Sequence, residues 1–280
     1  MGMTLMGKWT ARRKLLLGAL LGGAILLPLA QARAADDASA PGAQRWKQLQ
    51  HAIFGNRPVQ DGSAVLKLQA PPRALDAALV PMSVVMTGRM PVKGLYLVID
   101  NNPSPLAAHF SFGPDADPHE IGLRVRVNDY TEVHAVAEMQ DGKLYGVEDF
   151  VKATGGCSAP VGLSEADALK GIGEMKLRLL GTYAPGRPLR VKLLIRHPDF
   201  NGMQMDQLTR YYTPARFIDA TDVTYNGTEV FHLTSGISLS TNPAITFSFV
   251  PKHDGRMKIV AHDSSKTIFT HDFVIPGPSS

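Results

Sequence analysis

Short runs of alternating apolar and polar residues fill most of the chain between residues 64 and 151. Alternation of this kind is typical of a β-strand with one buried face. Turn-forming residues such as Asn101–Ser104 and Asp141-Gly142 separate the runs. About seven short strands with frequent turns predict an immunoglobulin-like β-sandwich. The predicted strands are 64–69, 80–87, 94–100, 106–112, 120–127, 131–139 and 144–151.

A second series of the same kind begins near residue 174 and predicts a second sandwich. Between two of its runs lies Asn226-Gly227, which favours a hairpin because a type I′ turn needs positive φ at both central residues. Asn226-Gly227-Thr228 is also a glycosylation sequon, but the turn explains these residues without it. The predicted strands are 174–181, 189–196, 216–225, 228–233, 245–250, 256–262 and 267–274.

The remaining segments complete the predicted fold. Residues 44–54 have apolar positions at helical spacing and predict a short amphipathic helix. Residues 153–173 are rich in glycine and predict a linker, in which Ser164 and Asp167 are placed to cap a short helix ending at Gly171. The predicted fold class is therefore all-β, with two immunoglobulin-like sandwiches at 44–152 and 174–276.

Residues 1–34 have the layout of a secretory signal peptide. A basic stretch at 8–14 precedes an apolar run at 15–30 and the cleavage pattern Ala32-Arg33-Ala34, with Ala30-Gln31-Ala32 as a second site. A membrane anchor is the weaker alternative, because glycines and a proline interrupt the run. The Arg12-Arg13 pair leaves twin-arginine export open beside the general secretory route. Both routes predict a periplasmic protein with no membrane span after cleavage.

Charge excludes several function classes. The chain has 280 residues with a formal net charge of +4, but five of its 29 basic residues and none of its 25 acidic residues precede position 35. The rest of the chain is near neutral, which argues against binding nucleic acid or anionic lipid.

Cys157 is the only cysteine in the chain, so no internal disulfide can form. It follows Gly155-Gly156 and precedes Ser158-Ala159-Pro160, which predicts a solvent-exposed thiol on a flexible arm. The alternative is a small buried hydrophobic residue, the commonest state of free cysteine. The nine histidines are scattered, and the linker contains none that could act as a base for a catalytic cysteine.

Other chemistry is weakly indicated. His262-Asp263 and His271-Asp272 are adjacent pairs, but no metal-binding motif is present, and we expect neither a metal nor a cofactor. Tyr211-Tyr212 is interpreted as packing a polar loop onto its sandwich, with a recognition patch as the alternative.

The chain resembles the carrier of the bacterial thiosulfate-oxidising (Sox) system, with the Y and Z subunits fused in that order. The Y-like half covers about residues 50–158 and the Z-like half about residues 172–275. The motifs that carry the resemblance in the first half are Ala52–Gly55, Ile99–Pro103, Ala135–Met139 with Asp141-Gly142, and Gly155-Gly156-Cys157. Those in the second half are His197-Pro198, Tyr225–Phe231, Thr241–Pro243 and the closing hairpin.

The resemblance implies that Cys157 binds sulfur intermediates covalently, that Gly155 and Gly156 form its arm, and that partner enzymes supply the catalysis. In the separate Y subunit the motif reads Gly-Gly-Cys-Gly-Gly and ends the chain, whereas here the chain continues past Pro160, which restricts an arm. The implied partners are periplasmic oxidoreductases or hydrolases of sulfur oxidation.

The fused arrangement is closest to SoxYZ-like carriers associated with quinoprotein alcohol dehydrogenases. This suggests an alternative function: a binding or assembly accessory of such a dehydrogenase or its cytochrome, with no carrier chemistry. A disulfide homodimer through Cys157 is also open.

Overall fold

The computed structural model describes residues 41–88, 90–158, 164–206 and 209–275. The predicted signal peptide and residues 159–163 of the predicted linker lie outside this range. Among the described residues, no helix is long and apolar enough to span a membrane.

The described residues form two helices and 15 strands. The helices are α1 (Pro41–Phe54) and α2 (Glu165–Ala168). The strands of the first half are β1 (Val59–Asp61), β2 (Leu66–Gln69), β3 (Val80–Met86), β4 (Val92–Ile99), β5 (Leu106–Phe112), β6 (Ala116–Val125), β7 (Thr131–Met139) and β8 (Leu144–Val151). The strands of the second half are β9 (Met175–Leu179), β10 (Leu189–Ile195), β11 (Ile218–Tyr225), β12 (Thr228–Ser235), β13 (Ala244–Phe249), β14 (Gly255–Asp263) and β15 (Ile268–Ile275).

These strands build two sheets that both continue from one half of the chain into the other. The nine-stranded sheet has the order β1-β8-β7-β4-β5-β12-β11-β14-β15, and the six-stranded sheet has the order β2-β3-β6-β13-β10-β9. Antiparallel pairing of β5 with β12 and of β6 with β13 joins the halves. In separate halves, β5, β6, β12 and β13 would each have an unpaired edge, and pairing across the halves covers these edges.

The core lies between the two sheets and is continuous across the halves. Its largest fully buried apolar side chains include Phe110 from the first half and Phe231 and Phe247 from the second. Phe231 contacts both of the others edge to face, with ring centroids 5.3 and 4.9 Å apart. Each such aromatic pair contributes about 0.5–1.5 kcal/mol beyond its buried area.

Local sequence signals gave correct local structure. The all-β prediction is confirmed, and each of the 14 predicted strands is present, with small differences at some ends. Asn226 and Gly227 have φ values of 49° and 83°, as the hairpin between β11 and β12 requires. Ser164 accepts a hydrogen bond from Asp167 N at 3.1 Å and caps α2.

The predicted helix is confirmed as α1, which covers part of the outer face of the nine-stranded sheet. Trp46 stacks on His134 of β7 with ring centroids 3.7 Å apart. Phe54 is 4.9 Å from Tyr96 of β4, edge to face. The apolar side of the helix thus packs on the first half.

Candidate functional site

Cys157 lies in a tight turn beside the end of β6, and its side chain is buried, with 0% relative exposure. The prediction of a solvent-exposed thiol is therefore wrong for this structure. We call its surroundings the thiol niche: Ala77, Arg126–Asn128, Gly155–Ser158 and Asn201. The alternative of a small buried residue is the one that this conformation shows.

Hydrogen bonds hold the turn in the niche. Gly155 N donates to Asn128 O at 2.8 Å, and Gly156 N donates to Val127 O at 3.2 Å. The backbone oxygen of Cys157 accepts from Asn201 Nδ2 at 2.6 Å. The two glycines thus form an ordered turn in this structure rather than an extended arm, and their role as an arm stays a prediction.

Gly156 fits because it has no side chain. A Cβ atom at this position would lie 2.5 Å from Val127 O and closer still to Ala77 O. Real Cβ atoms do not approach a carbonyl oxygen this closely. The glycine therefore permits the chain to pass directly over these two carbonyl groups and to place Cys157 inside the niche.

A buried arginine that sequence reasoning missed interacts electrostatically with the thiol. Arg126 is 2% exposed and follows β6 between two core residues, Val125 and Val127. Its Nε donates to Leu239 O at 3.2 Å, and its Nη2 donates to Asp199 O at 3.1 Å and to Thr241 Oγ1 at 2.8 Å. By strand alternation alone this arginine is expected to be exposed, so no local signal could have identified it.

Burial is the largest influence on the ionisable groups here. It raises the pKa of the Cys157 thiol from an ordinary 9.0 to about 11, and the nearby Arg126 guanidinium opposes this only in part. Burial also lowers the pKa of Arg126, with Asp199 and Cys157 acting in the opposite direction. Because the thiolate is the nucleophile, a thiol with this pKa is protonated and unreactive near neutral pH.

A buried network anchors the loop of the second half that contacts the niche. Burial raises the pKa of Asp199, and His197 acts against that rise. Asp199 Oδ1 accepts from Ile218 N at 3.0 Å, and Asp199 Oδ2 is 3.2 Å from His197 Nδ1. Asp263 Oδ2 accepts from Arg216 Nε at 2.8 Å and is 3.6 Å from His197 Nε2. These groups partner one another, so their role is to fix the loop.

The motif residues of both halves converge on this region. Asn102 donates to Arg126 O at 2.8 Å and accepts from Asn128 N at 2.9 Å. In the second half, Asn242 N donates to His197 O at 2.8 Å. Asn102 therefore braces the strand end that holds the cysteine turn, and Asn242 braces the loop opposite.

The other candidates from the sequence lie elsewhere. His262 extends from β14 and its Nε2 is 3.8 Å from Asp222 Oδ2, while His271 is exposed on β15. Within the described ranges, no three His, Cys, Asp or Glu side chains are placed to bind one metal ion together. Tyr211 and Tyr212 are 79% and 61% exposed, so the interpretation that they pack a loop onto the sandwich is wrong.

Comparisons with known proteins assign a family to each half. Residues 50–157 match the family described as sulfur oxidation protein SoxY, and residues 177–274 match sulphur oxidation protein SoxZ. No curated protein sequence matches the chain significantly.

Two solved structures are similar to parts of the chain. The sulfur carrier protein SoxY from Chlorobium limicola f thiosulfatophilum is 28% identical with a TM-score of 0.35, and the match covers 40% of this chain and 94% of that one. A superoxide reductase (neelaredoxin) from Ignicoccus hospitalis is 11% identical with a TM-score of 0.29, covering 31% of this chain and 78% of that one.

The two family matches are adjacent, in the order SoxY then SoxZ, and the fold joins them through both sheets. The chain is therefore a fused SoxYZ-like protein of the sulfur-oxidation carrier families.

Proposed function

We propose that this protein is a periplasmic carrier that holds a sulfur intermediate covalently on Cys157 and presents it to partner enzymes of sulfur oxidation. The observation that carries the proposal is positional. Cys157 is the only cysteine among 280 residues and the last residue of the SoxY match, and Gly155-Gly156 directly precede it. The protein supplies the thiol, and its partners supply the catalysis.

The loading step forms a disulfide-type bond between Cys157 and the cargo. With thiosulfate as cargo, the Cys157 thiol and the outer sulfur of thiosulfate join to give Cys–S–S–SO₃⁻, releasing one proton and two electrons. A partner oxidoreductase takes up the two electrons. Hydrolysis of the terminal sulfonate by a partner hydrolase then releases sulfate and leaves the other sulfur on the cysteine. No metal or cofactor of this chain takes part in either step.

The buried thiol is the protected state of the carrier. Local opening of the turn exposes the thiol, lowers its pKa toward the ordinary range and makes the thiolate available. Three hydrogen bonds join the turn to the rest of the described structure, and one of them comes from the Asn201 side chain of the second half. Because few contacts must break, a partner that binds the open turn can shift the equilibrium toward it.

Tetrathionate tests the carrier function without an added oxidant. The Cys157 thiolate attacks one of its central sulfur atoms, forms Cys–S–S–SO₃⁻ and releases thiosulfate. We expect intact-mass analysis of the full mature chain to show one adduct, located at residue 157, and none on the C157S variant. A wild-type chain that stays unmodified both with tetrathionate and after purification from thiosulfate-grown cells contradicts the proposal.

Burial also bears on the disulfide homodimer. A thiol with 0% exposure does not reach a second chain in this conformation, so a dimer needs the same opening as cargo loading. Non-reducing electrophoresis of the purified protein tests whether it forms.

A second candidate function is a binding or assembly accessory of a periplasmic quinoprotein (PQQ) alcohol dehydrogenase or its cytochrome. Two observations favour it: the thiol is buried with a pKa of about 11, and Tyr211 and Tyr212 expose large aromatic surfaces. Tyrosine is enriched where proteins bind each other. If the C157S variant fully supports the associated dehydrogenase activity while Y211A/Y212A does not, the accessory function is correct and the carrier function is not.

A further inference from the structure

A groove crosses the outer face of the six-stranded sheet where the two halves join. It has a volume of about 470 Å³ and is lined by residues of both halves. One row of residues crosses its floor: Ser83 pairs with Gly122, Gly122 with Thr246, and Thr246 with Lys192. Because Gly122 has no side chain, the floor is lowest at the junction of the halves.

Positive charge dominates the groove. Arg124, Arg190 and Lys192 line it, and Glu120 is the only acidic residue among the described residues of the lining. Glu120 pairs with Arg190, while Lys192 has no ion pair within the part of the chain that the structure describes. Arg124 donates through Nη2 to Asn242 O at 2.9 Å, but its buried Nε has no partner among the described residues. A half-exposed guanidinium and an ammonium without an ion pair therefore lie on one concave surface, and both leave positive charge available to a ligand.

We propose that this groove binds an oxoanion of the sulfate type, either as the free ion or as the head group of a small organic molecule. Arginine offers oxoanions directed N–H donors and lysine adds a compact charge, while Ser83 and Thr246 add hydroxyl groups. The groove is larger than one inorganic ion needs, and Pro71, Pro81 and Ala244 give it an apolar wall that an organic substituent can contact. The site requires nothing of Cys157 and stands whether or not the thiol carries cargo.

Calorimetric titration of the full chain with sodium sulfate and with sodium benzenesulfonate tests the site, against sodium chloride at equal ionic strength. We expect saturable binding of one or both anions. Sulfate binding identifies the free ion as sufficient, and binding of benzenesulfonate alone identifies an organic substituent as necessary. Binding of neither anion overturns the proposal.

Matched variants distinguish the groove from general electrostatic attraction. Lys192→Gln and Arg124→Gln should each weaken binding about tenfold or more, because each removes a charged hydrogen-bond donor. Lys176→Gln changes the net charge equally on β9, outside the groove, and should leave binding unchanged. The Lys192 side chain makes no hydrogen bond among the described residues, so its variant tests the site even if Arg124→Gln disturbs the Asn242 loop. If Lys176→Gln and Lys192→Gln weaken anion binding equally, the proposal is wrong. Unchanged anion binding by the C157S variant shows that the groove acts independently of the carrier function.

Discussion

Arg124 and Arg126 are two residues apart, yet their environments are opposite. Arg126 is buried, and the three acceptors of its side-chain hydrogen bonds belong to loops of the second half. Arg124 borders an open groove, and its side chain makes one hydrogen bond among the described residues, to Asn242 O. The difference arises from what covers each side chain, because the second-half loops enclose Arg126, just after the end of β6, but leave the side chain of Arg124 half-exposed.

This difference in burial gives the two arginines different roles: Arg126 anchors loops, and Arg124 belongs to the proposed ligand site. A buried guanidinium must satisfy its donors within the protein, so Arg126 fixes two loops of the second half, and the loop with Asp199 also contains Asn201, which donates to Cys157 O. A half-exposed guanidinium keeps donors free for a ligand.

The largest expected effect comes from removing the buried arginine. Arg126→Met leaves Leu239 O, Asp199 O and Thr241 Oγ1 without their donor. We expect the free energy of unfolding to fall by about 3–5 kcal/mol. Urea unfolding followed by circular dichroism measures this loss. Arg124→Met is the matched control and should cost less than about 1 kcal/mol, so similar losses for the two variants contradict the assignment of anchor and ligand site.

The next effect concerns the closure over the thiol. Gly156→Ala places a Cβ 2.5 Å from Val127 O, so the turn must move away from the end of β6. We expect a loss of roughly 2 kcal/mol in the stability of the closed turn and labelling of Cys157 by a disulfide reagent at least about tenfold faster. Absorbance of the released thiol measures the rate.

Gly181→Ala is the control for this variant, since its new Cβ has its nearest neighbour, Leu189 Cδ1, at 3.8 Å. It should label at the wild-type rate. If Gly156→Ala also labels at that rate, the thiol is released by movement of some other segment.

Features set by neighbouring residues were predictable from the sequence. β7 and β8 have the predicted bounds, and Asn226-Gly227 forms the expected turn, because alternation and positive φ are local properties. β1 was missed because three residues are too few to show alternation, and the strand exists by pairing with β8. The continuation of both sheets across the halves likewise depends on partners distant in sequence.

The state of Cys157 was mispredicted for the same reason. Its sequence neighbours are glycine and polar residues, which favour exposure. The groups that enclose it come from residues 77, 126–128 and 201, and Asn201 is 44 positions away. A single sequence identifies the unusual residue but does not reveal the distant loops that cover it.

The smallest effect tests the closed thiol through its ionisation. Burial raises the pKa of Cys157 to about 11, above the ordinary value of 9.0 that applies to the unfolded chain. Below about pH 9 the thiol is protonated in both states and adds no pH dependence. Between about pH 9 and 11 the unfolded chain loses this proton while the folded chain keeps it, so the free energy of unfolding falls by roughly 1–2 kcal/mol.

Subtracting the C157S variant isolates this effect, because every other titrating group is common to both proteins. Under reducing conditions, the difference in unfolding free energy between wild type and C157S should shift by roughly 1–2 kcal/mol between about pH 8 and about pH 10.5, with the wild type losing more. Parallel pH profiles for the two proteins contradict the closed state, because a thiol that titrates alike in the folded and unfolded chain is in contact with water. Cys157 would then differ from buried Arg126 and resemble half-exposed Arg124, and the niche would be open before any partner binds.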